Sequence, residues 1–335
     1  ELPYCFFVEG GALAVENALK TAFDWKTRKN WQKGSKTEGS LAIHFKQAFH
    51  GRSGYTLSLT NTSDPRKYQY FPLFDWPRII NPKLFFPITD ENLQETIKNE
   101  QLALLQIEQA IVANPDKVSC IIIEVIQAEG GDNHFRDEFF VELRRICDEN
   151  DILLIFDEVQ TGIGITGKMW AYQNFSVIPD VISFGKKAQV CGILANKEKL
   201  DQVEHHVFAE NSRINSTFGG NFIDMLRFQL VLEIIEKENL LENVQKQGAF
   251  LLEGLQKLQE EYPHLISNAR GRGLMCAFDL SDTKMRNDFQ EKLYEENIII
   301  LICGDQSLRF RPHLNVTQED LQIALNKIDE IASQL

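Results

Sequence analysis

Short apolar runs rich in β-branched and aromatic residues alternate along this chain with longer stretches in which apolar residues recur every three or four positions. The runs "CFFV", "LAIHF", "VSCIIIEV", "ILLIFDEV" and "DVISFG" read as strands, and Ala14 to Trp31 and Asp137 to Asn150 read as helices between them. The alternation predicts βαβ units, and strands with no polar face predict a largely parallel sheet covered by helices on both sides. From about Gly220 the pattern changes to a long helical stretch through Leu258. "GLMCAFDL", a helix near Asn287 to Asn297, "IIILIC", "LRFRP" and a last helix from Thr317 follow. The expected fold class is α/β, with a large domain over residues 1–219 and an interdomain helix plus a smaller α+β domain over 220–335. Thr60 to Pro87, rich in proline and aromatics, is expected to be irregular and either functional or partner-facing.

Composition narrows the classes of partner. The 335 residues include 43% hydrophobic and 25% charged, as in soluble globular proteins. No apolar run approaches the roughly 20 residues of a membrane helix. A net charge of -13 repels a phosphate backbone, which argues against nucleic acid but leaves room for a local basic pocket that takes one small anion. Cys5, Cys120, Cys147, Cys191, Cys276 and Cys303 are scattered without CxxC spacing and read as reduced core residues, with no metal site expected. No secretory leader is visible, so the cytoplasm is the default compartment. The chain opens without Met and almost inside a strand, and an N-terminal segment is expected to precede it.

The chemistry gathers at strand ends. Asp157 and Glu158 close an apolar strand at the edge where open α/β sheets hold their ligands, and a carboxylate there needs a cationic or hydrogen-bonding partner. The following Gly162, Gly164 and Gly167 match G-x-G-x-x-G, but "DEVQT" intervenes and no helix follows, so they read as a tight loop rather than a dinucleotide fingerprint. Lys186 and Lys187 follow the strand "DVISFG". For an isolated Lys-Lys pair a solvated loop is the commoner reading. A lysine presented in a crevice near a buried carboxylate can instead have its amine activated as a nucleophile toward an aldehyde.

Pyridoxal phosphate would need that lysine, an acidic partner for its ring nitrogen, an anion site and an aromatic face. In "VEGGALAVENALK", Gly10, Gly11 and Ala12 join a strand to a helix whose N-terminal N–H groups suit a phosphate, although an ordinary βα turn would look the same. In "FHGRSG", Phe49 can supply a stacking face and Arg52 a carboxylate clamp.

"EVIQAEGG", "IFDEVQTGIGITG", "PDVISFGKK", "NSTFGGN", "RGRGLMCAFDL" and "LRFRPHLNVT" follow one another as in the class III, fold type I pyridoxal-phosphate-dependent aminotransferases, and the whole chain resembles that family. "AFHGRSGYTLSLTNT", "FDWPRI" and "FGKKAQVCG" are similar to its lysine 6-aminotransferase branch. The resemblance implies that Lys186 is the lysine bonded to the cofactor, with Lys187 a neighbour. It makes Asp157 the ring-nitrogen partner and sets Gln160 near the phenolic oxygen. Gly11 and Ala12 match the phosphate loop, and Thr217 matches a residue reaching the phosphate in a neighbouring subunit, which implies a homodimer. For substrate, Arg52 matches a clamp for the remote carboxylate. Glu129 and Arg309 match a gate in which the glutamate masks the arginine for a diamino acid and exposes it for glutamate or 2-oxoglutarate, with Asn215 positioning the pair. One departure is Glu9-Gly10-Gly11-Ala12-Leu13-Ala14 where many members have Ser-Gly-Ser-Glu-Ala, so a side-chain hydroxyl is absent at Ala12.

The implied activity transfers the terminal amine of L-lysine to 2-oxoglutarate. It gives 2-aminoadipate 6-semialdehyde, which cyclises, and glutamate, by ping-pong kinetics. The alternatives are a sister ω-aminotransferase acting on ornithine, 4-aminobutyrate or acylornithine, and a non-catalytic protein of the same fold.

Overall fold

In the computed structural model, which describes residues 1–335, the chain up to Ala195 builds a seven-stranded sheet. Its strands are β1 (Tyr4–Val8), β2 (Leu41–Phe45), β3 (Arg78–Ile79), β4 (Val118–Glu124), β5 (Leu153–Glu158), β6 (Val181–Phe184) and β7 (Cys191–Ala195), in the order β1-β7-β6-β5-β4-β2-β3. The block from β6 to β3 is parallel, whereas β7 runs antiparallel between β6 and β1. Because β1 opposes β7 and β7 opposes β6, β1 ends at the same edge as the parallel strands. The expected parallel sheet is thus present, with an antiparallel border that "VCGILA" did not announce.

Both faces are covered, as the unbroken apolar strands require. Helix α1 (Gly11–Gln32) lays Val15, Ala18, Leu19, Ala22 and Trp25 on Cys120, Ile122, Leu153 and Ile155. The alternate residues Ile121, Ile123, Leu154 and Phe156 face the other side. There they meet α3 (Asp90–Ala113) and α4 (Asp137–Glu149), which contribute Ala103, Ile107, Phe139, Phe140 and Leu143, whereas the short α2 (Gly54–Leu59) joins the α1 face through Leu59. Each such large apolar side chain contributes about 1.5–3 kcal/mol by leaving water. Helix α1 begins before the expected Ala14 because Gly10, at φ 86°, turns the chain directly out of β1.

The single long helix expected through Leu258 is broken. After the short α5 (Lys197–Leu200), α6 (Phe222–Lys237) ends and α7 (Leu240–Glu261) begins at Asn239, which adopts φ 50°. Asparagine tolerates that left-handed conformation, while the apolar periodicity runs on across it and hides the break. A second sheet, order β10-β11-β9-β8, is antiparallel throughout and contains β8 (Ser267–Arg272), β9 (Met275–Asp279), β10 (Leu301–Cys303) and β11 (Ser307–Arg309). It packs with α7, α8 (Thr283–Glu295) and α9 (Gln318–Ala332) around Leu251, Leu255, Phe278, Phe289 and Ile328. Thr60 to Pro87 is irregular apart from a turn at Pro65–Lys67 and the two residues of β3. Cys120, Cys147, Cys276 and Cys303 are buried as expected, but Cys5 is exposed and Cys191 lines a cavity. No helix is long and apolar enough to cross a membrane.

The two sheets are tied by Arg270, which is 2% exposed. It pairs with Asp279 at 2.9 Å and donates to Ser307 Oγ at 2.9 Å within its own sheet. Across to the loop after β4 it donates to the carbonyls of Gly131 and Asp132.

Two stability tests follow from this packing. A Cβ at Gly248 of α7 would stand 2.3 Å from the carbonyl oxygen of Gly273 in the β8–β9 turn, where rigid backbone cannot give way. Gly248→Ala is expected to cost about 1–3 kcal/mol, read as lower thermal and urea midpoints. Glu158 is fully buried, and burial pushes its carboxyl up to about 7 although the Ala171 and Tyr172 N–H groups oppose the shift. A raised folded pKa stabilises below the ordinary glutamate value and loses that contribution as pH rises through about 7. Glu158→Gln should therefore have a lower Tm at about pH 5 but a shallower fall toward about pH 8, and parallel Tm curves would exclude this titration.

Candidate functional site

Strands β4, β5 and β6 end at one edge, and the turns after β1 and β2 come to the same place. Together they enclose a cavity of about 340 Å³ whose lining includes Gly11, Ala12, Phe49, Asp157, Gln160 and Lys186. Six of the residues expected at a cofactor site are thereby assembled from four separate segments.

Asp157 is the best-held group. It is 5% exposed, and its Oδ1 accepts from the Val159 N–H and the Ser183 hydroxyl, both at 3.0 Å. Its Oδ2 meets His50 Nδ1 at 2.8 Å, so the histidine nitrogen facing it carries the proton. His50 Nε2 is buried with no polar partner. Opposite Asp157 in the ladder, Glu124 accepts from the N–H groups of Phe49 at 2.8 Å and Ala128 at 3.2 Å. Burial pushes this second carboxyl up to about 7, while His50 opposes the shift. Glu124 thus fixes the backbone of the loop that carries the aromatic ring.

Lys186 directly follows Gly185 and takes φ 49°, a conformation that costs a non-glycine residue about 1 kcal/mol or more and is found preferentially at functional sites. It lines the cavity and forms no ion pair. Lys187 points elsewhere: its Nζ donates to the carbonyl of Gln160 at 2.6 Å, and burial pushes the amine down to about 7. The two lysines are therefore distinguished by environment, one lining the cavity and one bracing the loop after β5.

The α1 N-terminus closes the other end. Its first turn holds no acidic residue, and a Cβ at Gly11 would stand 3.0 Å from Val159. Gly51, at φ 138°, comes so near that a Cβ there would lie 2.9 Å from that of Ala12 and 2.4 Å from Thr56 Oγ1. The small residues let the two loops approach, leaving backbone N–H groups as the anion donors. This donor set fits pyridoxal phosphate. A helix N-terminus stands ready for the phosphate, a carboxylate held by three donors is available for the ring nitrogen, and a lysine amine is available for the aldehyde.

Beside the cavity lies a charged cluster. Glu129 Oε2 accepts from Arg309 Nη2 at 2.7 Å and Oε1 from Lys67 Nζ at 2.7 Å. The two cations hold the Glu129 carboxyl below its usual range against the opposing effect of burial. Gln160 Oε1 accepts from Arg311 Nε at 2.9 Å and Arg309 Nη1 at 3.4 Å, and Arg311 grips Asp132 with both Nη atoms. Arg52 is exposed, with its guanidinium carbon 5.9 Å from the Phe49 ring. Thr217 is exposed and stands apart from the cavity lining of its own chain. Asn215 is exposed too and accepts from the Ser216 N–H at 2.8 Å. Within one chain it makes no hydrogen bond to Glu129 or Arg309. Sequence reasoning passed over His50, Ser183, Lys67 and Arg311. His50 and Arg311 stand in the quoted motifs beside residues that were chosen, whereas nothing local marks Lys67.

Residues 3–332 match the family Aminotransferase class-III. An L-lysine-epsilon aminotransferase of Mycobacterium tuberculosis is 49% identical over 325 residues, covering 97% of this chain and 71% of the relative. One from Streptomyces clavuligerus is 47% identical over 328 residues, covering 98% of this chain and 71% of the relative. Among solved structures, a lysine aminotransferase from M. tuberculosis in the internal aldimine form superposes with a TM-score of 0.94 at 48% identity, covering 98% of this chain and 75% of that one. The chain belongs to the class III aminotransferases, enzymes that work with pyridoxal phosphate.

Proposed function

We infer that this enzyme moves the terminal amino group of L-lysine to 2-oxoglutarate. The observation that carries the substrate is the likeness, over nearly the whole chain, to lysine aminotransferases of two bacterial genera. Pyridoxal phosphate, when bound, supplies an aldehyde that takes up the substrate amine and a ring that draws charge from the carbon beside it.

The chain's own groups then divide the work. Lys186 is the base: its amine removes a proton from the ε-carbon of bound lysine and returns it on the cofactor side. Asp157, fixed by Val159, Ser183 and His50, holds a proton at the ring nitrogen. Gly11 and Ala12 would hold the phosphate through N–H groups at the start of α1, Phe49 would cover the ring, and Gln160 would offer its amide to the phenolic oxygen. Arg52 clamps the lysine carboxylate, while Glu129 neutralises Arg309. For 2-oxoglutarate, Glu129 turns away and Arg309 takes the second carboxylate. Its buried Nε, without a partner, supports that role.

The same reading includes a homodimer in which Thr217 reaches a neighbouring subunit's phosphate. The exposed Phe218, Phe222, Ile223 and Leu226, with Tyr70 and Phe71, support it, since so large an apolar surface is costly in water. It also includes the division at 219/220, supported by the separate cores around the two sheets.

The test is direct. With lysine as donor and 2-oxoglutarate as acceptor, glutamate should form, and ornithine should be the poorer donor by at least about tenfold in kcat/KM, a difference of about 1.4 kcal/mol. Preference for ornithine or 4-aminobutyrate would move the enzyme to a sister specificity. Lys186→Ala should lower kcat by roughly a hundredfold or more, because a positioned base contributes about that much, and should retain the cofactor's phosphate contacts.

A further inference from the structure

Lys67 lies in the irregular segment after α2, ends the short turn at Pro65–Lys67, and is 62 residues from Glu129 along the chain. Its Nζ meets Glu129 Oε1 at 2.7 Å, while the other oxygen meets Arg309 Nη2 at 2.7 Å. One carboxylate is shared between two cations, an oxygen to each. The Lys67 and Arg309 side chains are 13% and 8% exposed and that of Glu129 is 27%, so water screens this cluster poorly. A carboxylate in such a place is costly without a cation. Lys67 Nζ also lies 5.6 Å from the centre of the Phe49 ring, at the rim of the cavity that this ring lines.

We propose that Lys67 is the standing partner of Glu129, keeping its carboxylate paired when Glu129 turns away and leaves Arg309 to the second carboxylate of a dicarboxylic 2-oxo acid. Lys67 thereby sets how readily one site alternates between a diamino monocarboxylate and a dicarboxylate. The proposal rests on the gate reading of Glu129 and Arg309 given above. With Lys67 present, freeing Arg309 removes one of two charged contacts from Glu129 and leaves the other intact. Without it, the same movement strips a half-buried carboxylate of every cation, and the gate stays shut on Arg309. Lys67 acts through Glu129 and touches no reacting atom, which makes it a positioning residue. Its replacement should weigh on the half-reaction that needs the gate open.

The experiment uses the holoenzyme and measures each half-reaction by single turnover, with lysine as donor and with 2-oxoglutarate or pyruvate as acceptor. Lys67→Met is expected to lower the ratio of kcat/KM for 2-oxoglutarate to that for lysine by about tenfold, the scale of one charge-assisted contact, and Lys67→Arg to restore it. A proportional loss in both half-reactions, as from a folding defect, or a ratio within about twofold of the wild type would overturn the proposal. Arg309→Met separates this outcome from failure of the gate itself. If that variant keeps the wild-type preference for 2-oxoglutarate over pyruvate, the gate reading falls and the role of Lys67 falls with it. If it loses the preference while Lys67→Met leaves the ratio unchanged, only the Lys67 proposal falls.

Discussion

A carboxylate enclosed at the end of a central strand must find donors or lose its charge. Asp157 finds three: a hydroxyl from β6, the backbone of its own turn and an imidazole from the loop after β2. That requirement organises the site. To reach Asp157, His50 must be delivered from 107 residues away in sequence, and the loop that delivers it also carries Phe49. Glu124, paired with Asp157 in the ladder, then fixes the same loop through the Phe49 N–H. Satisfying one buried charge thus sets the walls of the cavity.

A second polar system joins the two sheets. Gln160 leaves the turn after β5 and accepts from Arg309, the last residue of β11, and from Arg311 two residues on. Arg311 returns to Asp132 in the loop after β4, and Arg270 reaches the carbonyls of the same loop. Long, shielded cations and their acceptors therefore connect parts of the chain that also meet through Ile126, Ala128 and Ile165. Charges so buried are stable only when all partners are in place, so these contacts set the relation of the two sheets more strictly than apolar packing alone would.

The alternation of apolar runs and helical spacing made the first sheet legible, and the residues at its strand ends could be named because such ends hold ligands in open α/β sheets. Helix α3 escaped notice because its buried seam is thin: Thr96, Glu100, Ala103 and Ile107 keep helical spacing, but two of the four are polar. Strand β7 was hidden by Gly192, a residue that weakens strand patterns. A Cβ there would stand 2.4 Å from the carbonyl oxygen of Phe6, so only glycine admits β1 alongside. The pairings of His50 with Asp157 and of Lys67 with Glu129 join distant segments, and no local pattern encodes them.

The tasks are divided between the sheets. Asp157 and Lys186, proposed for the chemistry common to every substrate, belong to the first; Arg309, proposed for choosing among substrates, hangs from the second and meets Glu129 across the junction. A lineage or an engineer can therefore revise what the enzyme accepts by changing β11 and the loops that face it, without disturbing the apparatus that breaks the bond. New specificity on this scaffold costs few inherited parts, which is one physical reason an architecture of this kind can be reused for many amines.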